Sequence, residues 1–144
     1  KTMAYNILIV EDSTPMRAVI KKIVKASGFN AGQFFEATDG HDALKVLHHE
    51  WIDLVLTDYN MPHMNGLELV EEMNKDENLK SIPAIMITTE GSRERVQEFM
   101  AKGVMDYIKK PFTPEQIKQK LKHVMGETED EEQRYDNGDE DLDF

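Results

Sequence analysis

The chain has no cysteine, which excludes a disulfide framework and any thiolate metal site. No apolar run approaches the roughly 18 residues that a membrane-spanning helix needs, so no membrane insertion is expected. Basic residues form neither a stripe nor an arm, so nucleic acid is not an expected partner. The opening residues, Lys1-Thr2-Met3-Ala4-Tyr5, lack the apolar core of a signal peptide, and a cytoplasmic location is the expectation.

Acidity is abundant but uneven. The formal net charge is −11 over 144 residues, yet residues 127–144 hold ten acids and one base. The body, residues 1–126, is nearly neutral, and its length suits one domain with a full core. Residues 127–144 read as an acidic tail, disordered by composition, with Tyr135, Leu142 and Phe144 as its apolar exceptions.

In the body, the stretch Leu54-Val55-Leu56-Thr57-Asp58-Tyr59-Asn60-Met61-Pro62 organises the rest. A short apolar, β-branched run ends abruptly on an acid. That is the pattern of a strand buried on both faces, with Asp58 at its carboxyl end. An Asp there is also a common turn opener, so its neighbours must decide. Asn6–Val10 is a second such run, ending on Glu11-Asp12, and Gln33–Ala37 reads as an outer strand. Ile82–Ile87 ends on Thr88-Thr89, with Pro83 near its start, and Met105–Ile108 ends on Lys109-Lys110-Pro111.

Between these runs lie helical patterns. Ser13 or Thr14 can cap a helix carrying Met16, Val19, Ile20, Ile23 and Val24, which Gly28 stops. Asp39-Gly40 begins one through Leu47, Gly66 one through Met73, and Ser92 one carrying Val96, Phe99 and Met100, which Gly103 ends. Thr113, with Pro114 and Gln116, caps the last, striped by Ile117, Leu121, Val124 and Met125. The methionines and phenylalanines at helical spacing are expected in the core. Five strands alternating with five helices call for an α/β fold: a doubly wound, five-stranded parallel sheet covered on both faces.

In such a sheet, ligands bind outside the carboxyl ends of the strands. Glu11, Asp12, Asp58, Thr88 and Lys110 are all expected there. Three carboxylates within about 4–6 Å of one another repel by several kcal/mol at an effective dielectric near 20. Either some hold protons or a cation sits among them. The available ligands are hard oxygens, which suits Mg²⁺, with Mn²⁺ as a substitute. A carboxylate is also a competent nucleophile toward phosphorus, and Lys110 can neutralise phosphoryl oxygens.

The motifs Ile-Val-Glu-Asp-Ser (9–13), Thr-Asp-Tyr-Asn-Met-Pro (57–62) with Gly66, Ile-Thr-Thr (87–89) and Lys-Pro-Phe (110–112) resemble the receiver domain of two-component response regulators. The likeness covers about residues 5–125, within a receiver domain of residues 1–126. It implies a flavodoxin-like sheet of order 2-1-3-4-5, phosphorylation of Asp58 by a sensor histidine kinase, and a cis bond between Lys110 and Pro111. It implies Mg²⁺ on Glu11, Asp12, Asp58 and the Asn60 backbone carbonyl, a switch pair of Thr88 and Tyr107, and Lys110 as phosphate sensor. The positions two beyond acceptor and switch, Asn60 and Glu90, are those that tune phosphoryl lifetime in this family.

The chain is most similar to the single-domain chemotaxis branch, whose targets lie in the flagellar motor switch. Arg93, Val96, Tyr107 and Lys120 then correspond to the partner face, and a phosphatase is a further partner the family implies. No output domain is expected after the last helix, and a monomer is expected. Thr89 departs from the small Ala common in that branch. An intermediate carrier in a phosphorelay is the first alternative. A Mg²⁺ phosphohydrolase is the second, disfavoured because Asn60 stands where its general acid would and no cap insertion is present. The tail reads as a solubilising end, or else as a segment that folds back on Arg93, Arg95, Lys118, Lys120 and Lys122, with Tyr135 or Phe144 as an apolar anchor, and competes with the target.

Overall fold

The computed structural model describes residues 4–126. The order of elements is β1 (Tyr5–Val10), α1 (Thr14–Ser27), β2 (Ala31–Ala37), α2 (Gly40–His49), β3 (Leu54–Asp58), α3 (Gly66–Asn74), β4 (Ala84–Thr88), α4 (Arg93–Ala101), β5 (Asp106–Lys109) and α5 (Pro114–Val124). All strand pairs are parallel, in the order β2-β1-β3-β4-β5. The expected doubly wound, flavodoxin-like sheet is therefore found.

Side-chain alternation along each strand divides the core in two. Leu8, Val10, Val55 and Met86 face one layer, with Leu47 of α2, Val70 and Met73 of α3 and Phe99 of α4. Ile7, Ile9, Leu54, Leu56, Ile85 and Ile87 face the other, against Ile20 and Val24 of α1 and Ile117 and Leu121 of α5. That is why the inner strands are apolar without a break: both faces of the sheet are covered. Burying each Leu or Ile contributes roughly 1.5–3 kcal/mol, well above any single cap or surface pair.

Every helix begins on a side-chain cap. Ser13, Asp39, Asn65, Ser92 and Thr113 accept from the backbone N–H groups of Met16, Asp42, Glu68, Arg95 and Gln116. Asn65 with Glu68, and Thr113 with Gln116, form reciprocal boxes. Because each helix follows a strand, all five caps lie at the carboxyl edge of the sheet. At about 1 kcal/mol each, they fix where the loops of that edge end. Gly28 closes α1 in the left-handed region, with φ of 83°, where a β-carbon is disfavoured.

Some boundaries and burials differ from expectation. β2 starts two residues early, at Ala31, while β4 starts after Pro83 and β5 after Met105. Pro83 still serves the sheet through its carbonyl, which accepts from Val55 N at 3.0 Å. Val19 and Met100 are exposed, against the core placement expected of helically spaced apolar residues, and Met105, read as the first residue of the last strand, is exposed just before it. Met100 adjoins buried Phe99, and one residue turns a helix by about 100°, which carries Met100 off the buried face. At the opposite edge, Trp51 in the α2–β3 turn is 78% exposed, and its Nε1 donates to Asp53 Oδ1 at 3.0 Å.

Gly66 ties α3 to the end of β3. Its N–H donates to Tyr59 O at 2.9 Å, and a β-carbon there would run into the Asp58 carbonyl oxygen and the Met86 sulfur. Helix propensity alone would favour Gly66→Ala by up to about 1 kcal/mol, but a backbone oxygen cannot step aside as a flexible side chain can. The overpacking should dominate, with Gly66→Ala destabilised by about 1–3 kcal/mol in urea unfolding. An alanine variant as stable as the parent would show that the β3–α3 junction yields freely.

Candidate functional site

The carboxyl ends of β1, β3 and β5 bring Glu11, Asp58 and Lys110 together. Glu11 and Asp58 are 3% and 7% exposed, while Asp12 beside them is exposed. One carboxylate oxygen from each of Glu11, Asp12 and Asp58 lies within 4.8 Å of the others. Lys110 Nζ stands 3.3 Å from Asp58 Oδ1 and 3.5 Å from Glu11 Oε1. The Lys110–Pro111 peptide bond is cis.

The acids are held from behind by backbone donors. Tyr59 N donates to Asp58 Oδ1 at 2.9 Å, and Ser13 N donates to Glu11 Oε2 at 3.0 Å. Glu11 Oε1 is buried without a hydrogen-bond partner. An orphaned buried oxygen among clustered carboxylates, with only hard oxygen donors available, fits a hard divalent cation. Burial, then the Asp58 charge and the Asp12 contact, push the Glu11 carboxyl up to about 7, against the lowering effects of the Ser13 N–H and Lys110.

Thr88 is buried at the end of β4, but its hydroxyl accepts from Glu90 N at 2.9 Å and is not bonded to Asp58. Tyr107 is half-buried on β5, and Lys120 Nζ lies 5.1 Å over its ring while pairing with Asp106 at 3.0 Å. Arg93 and Val96 stand one turn apart on α4, the first exposed and the second half-buried. Asn60 and Glu90 are both exposed on the loops that flank Asp58.

The pattern of the response regulator receiver domain matches residues 7–122. The chain belongs to that family. It is 44% identical to chemotaxis protein CheY-3 of Vibrio cholerae over 119 residues, which cover 83% of this chain and 90% of the relative. It is 42% identical to chemotaxis protein CheY1 of Helicobacter pylori over 122 residues, covering 84% and 97%. The solved structure of chemotaxis response regulator CheY4 of Vibrio cholerae superposes with a TM-score of 0.75 at 34% identity, covering 85% of this chain and 99% of that one. The chain is thus a receiver domain of the chemotaxis type, a signalling domain rather than a metabolic enzyme.

Two arginines of this receiver domain escaped the sequence reading as parts of the site. Arg17, 9% exposed on α1, donates through Nη1 to Glu11 O at 2.6 Å and through Nε to Glu36 Oε1 at 2.7 Å. It binds the backbone of the acid to the edge strand β2, and with Lys21 it holds the Glu36 carboxyl below its ordinary value. Its place three residues before Ile20 and seven before Val24, on the apolar stripe of α1, was the available signal. Arg95 of α4 joins the two loops beside Asp58. Its Nε donates to Glu90 Oε1 at 2.8 Å, and Nη1 to Tyr59 Oη at 2.8 Å and Glu98 Oε1 at 2.9 Å.

These contacts alter the expected tail partners. Arg95 and Lys120 are already engaged, and Lys122 is 7% exposed, which leaves Arg93 and Lys118 of the five cations named for that role. The tail itself lies outside the described residues.

Glu11 also sets a pH dependence. Its folded pKa of about 7 exceeds the ordinary 4.5, so the folded state binds more protons between those values. The stability it contributes is fully present below about pH 4.5 and is lost as pH rises through about 7, by about 3 kcal/mol. With divalent cations chelated, the stability of Glu11→Gln relative to the parent should therefore rise by about that amount from pH 4 to pH 8. A constant difference across that range in urea unfolding would show that the carboxyl titrates normally.

Proposed function

We propose that this chain is a phospho-accepting switch in which Asp58 takes a phosphoryl group from a sensor histidine kinase. The observation that carries the reading is the Asp58 carboxylate itself. It is nearly buried at a strand end, faced by Lys110 at 3.3 Å, and clustered with two further acids. One Asp58 oxygen forms the new O–P bond as the N–P bond of the phosphohistidine breaks, and the electron pair leaves with the imidazole. Lys110 neutralises charge on the phosphoryl oxygens in that in-line displacement. Glu11, Asp12, Asp58 and the Asn60 backbone carbonyl are the groups to hold Mg²⁺, or Mn²⁺ in its place, which when bound supplies further positive charge against those oxygens. Hydrolysis, consuming water and releasing inorganic phosphate, returns Asp58 to its starting state.

The phosphoryl group adds charge and acceptor oxygens beside Thr88 and Lys110. Thr88 turns its hydroxyl toward it, the β4–α4 loop follows, and Tyr107 rearranges with Lys120 and α4. The surface formed by α4, β5 and α5, including Arg93 and Val96, is thereby biased toward a target. The similarity to chemotaxis proteins supports a flagellar motor switch protein as that target and the cytoplasm as its setting. Asn60 and Glu90, both polar and exposed, admit water and favour a short-lived signal.

Asp58→Asn preserves shape and removes the nucleophile, so labelling by acetyl phosphate should vanish. Label that persists in this variant would place the acceptor elsewhere. Replacing Asn60 and Glu90 together with bulky apolar residues should lengthen the phosphoryl lifetime. A parent protein that keeps its label for hours would contradict the proposed fast signal.

A further inference from the structure

The Arg95 contacts complete a chain of hydrogen bonds that runs from Asp58 to Thr88. Tyr59 N donates to Asp58 Oδ1, and the Tyr59 hydroxyl accepts from Arg95 Nη1. Arg95 Nε donates to Glu90 Oε1, and Glu90 N donates to the Thr88 hydroxyl. One guanidinium therefore connects the residue after the proposed acceptor with the residue two beyond the proposed switch. It is fixed on further sides: Arg95 lies 4.7 Å over the Tyr59 ring, that ring packs 5.3 Å from buried Phe99, and Glu98 takes another hydrogen bond. A lone exposed ion pair is too weak to offset the rotamer freedom a glutamate loses when it is fixed. A pair alone would not hold Glu90; an arginine anchored by Tyr59, Glu98 and the ring face has much less freedom left to lose.

We propose that Arg95 is a positioning residue for hydrolysis of the aspartyl phosphate: it holds the Glu90 carboxylate at the mouth of the site in an orientation that directs water. It also offsets the negative charge that Glu90 would otherwise present to the phosphoryl group. This rests on the reading of Asp58 as the acceptor and of Glu90 as a determinant of lifetime. Arg95 touches neither the phosphoryl group nor the water; it acts through Glu90, with Tyr59 as its anchor.

The test is the decay of label after rapid removal of acetyl phosphate, with Mg²⁺ saturating, in the full chain. Arg95→Gln should slow decay about three- to tenfold, and the slowing should nearly disappear when Glu90→Ala is already present, because contacting residues that act together are not additive. Arg95→Lys, which keeps the charge beside Glu90, should recover part of the rate. In the unphosphorylated parent, the Arg95 Nε–H resonance should be protected from exchange with water, and Glu90→Ala should remove that protection. Unchanged decay in Arg95→Gln, equal slowing with and without Glu90, or a lysine variant no faster than glutamine would each overturn the proposal. A parent that takes up no label removes the phospho-acceptor reading and this inference with it. A labelled parent whose decay ignores Arg95 removes the inference alone.

Discussion

Three carboxylates share one ammonium at the carboxyl edge of the sheet, and the arrangement depends on that imbalance. Glu11, Asp12 and Asp58 repel one another, and Lys110 faces only two of them closely. The fold must hold these charges together against their repulsion, which takes a stiff frame. The frame is the two-sided core: β1 and β3 are buried along both faces just behind Glu11 and Asp58. Loops alone could relax outward, whereas strand ends anchored by several leucines and isoleucines cannot. The orphaned Glu11 oxygen and its reluctance to ionise express the same frustration within a single residue.

Around that frame the connections are short and pinned. Side-chain caps start all five helices at the functional edge, Gly66 lets α3 begin against the Asp58 backbone, and Arg17 secures the Glu11 backbone to β2. The loops after β3 and β4 are tied to each other by Arg95 rather than by packing. Polar ties of that kind exchange partners more easily than a close-packed core rearranges, so mobility at this edge belongs to those loops.

Much of this was legible in the sequence because it is local. Apolar runs ending on acids located β1 and β3, and cap residues such as Ser13 and Thr113 located helix starts. What was not legible depends on pairs distant in the chain. Arg95 and Tyr59 are separated by 36 residues, and Arg17 and Glu36 by 19, with no spacing rule linking them. Asn65 caps α3 directly before Gly66, and the glycine is the stronger break signal in the sequence. Helical spacing alone does not say which flank of α4 meets a neighbour, and Met100 falls on the exposed one.

Trp51 has a consequence for how this molecule is best observed. It is the chain's single tryptophan, and it lies in the turn between α2 and β3, at the edge of the sheet away from the acidic cluster. Its indole rests on Asp53 and otherwise faces solvent. Intrinsic indole emission thus reports from the far pole of the domain, and an indole already in water in the folded state changes little on unfolding. Optical detection of events at the acidic pole calls for a chromophore introduced there, and Tyr59, half-buried beside Asp58, marks the natural position for one.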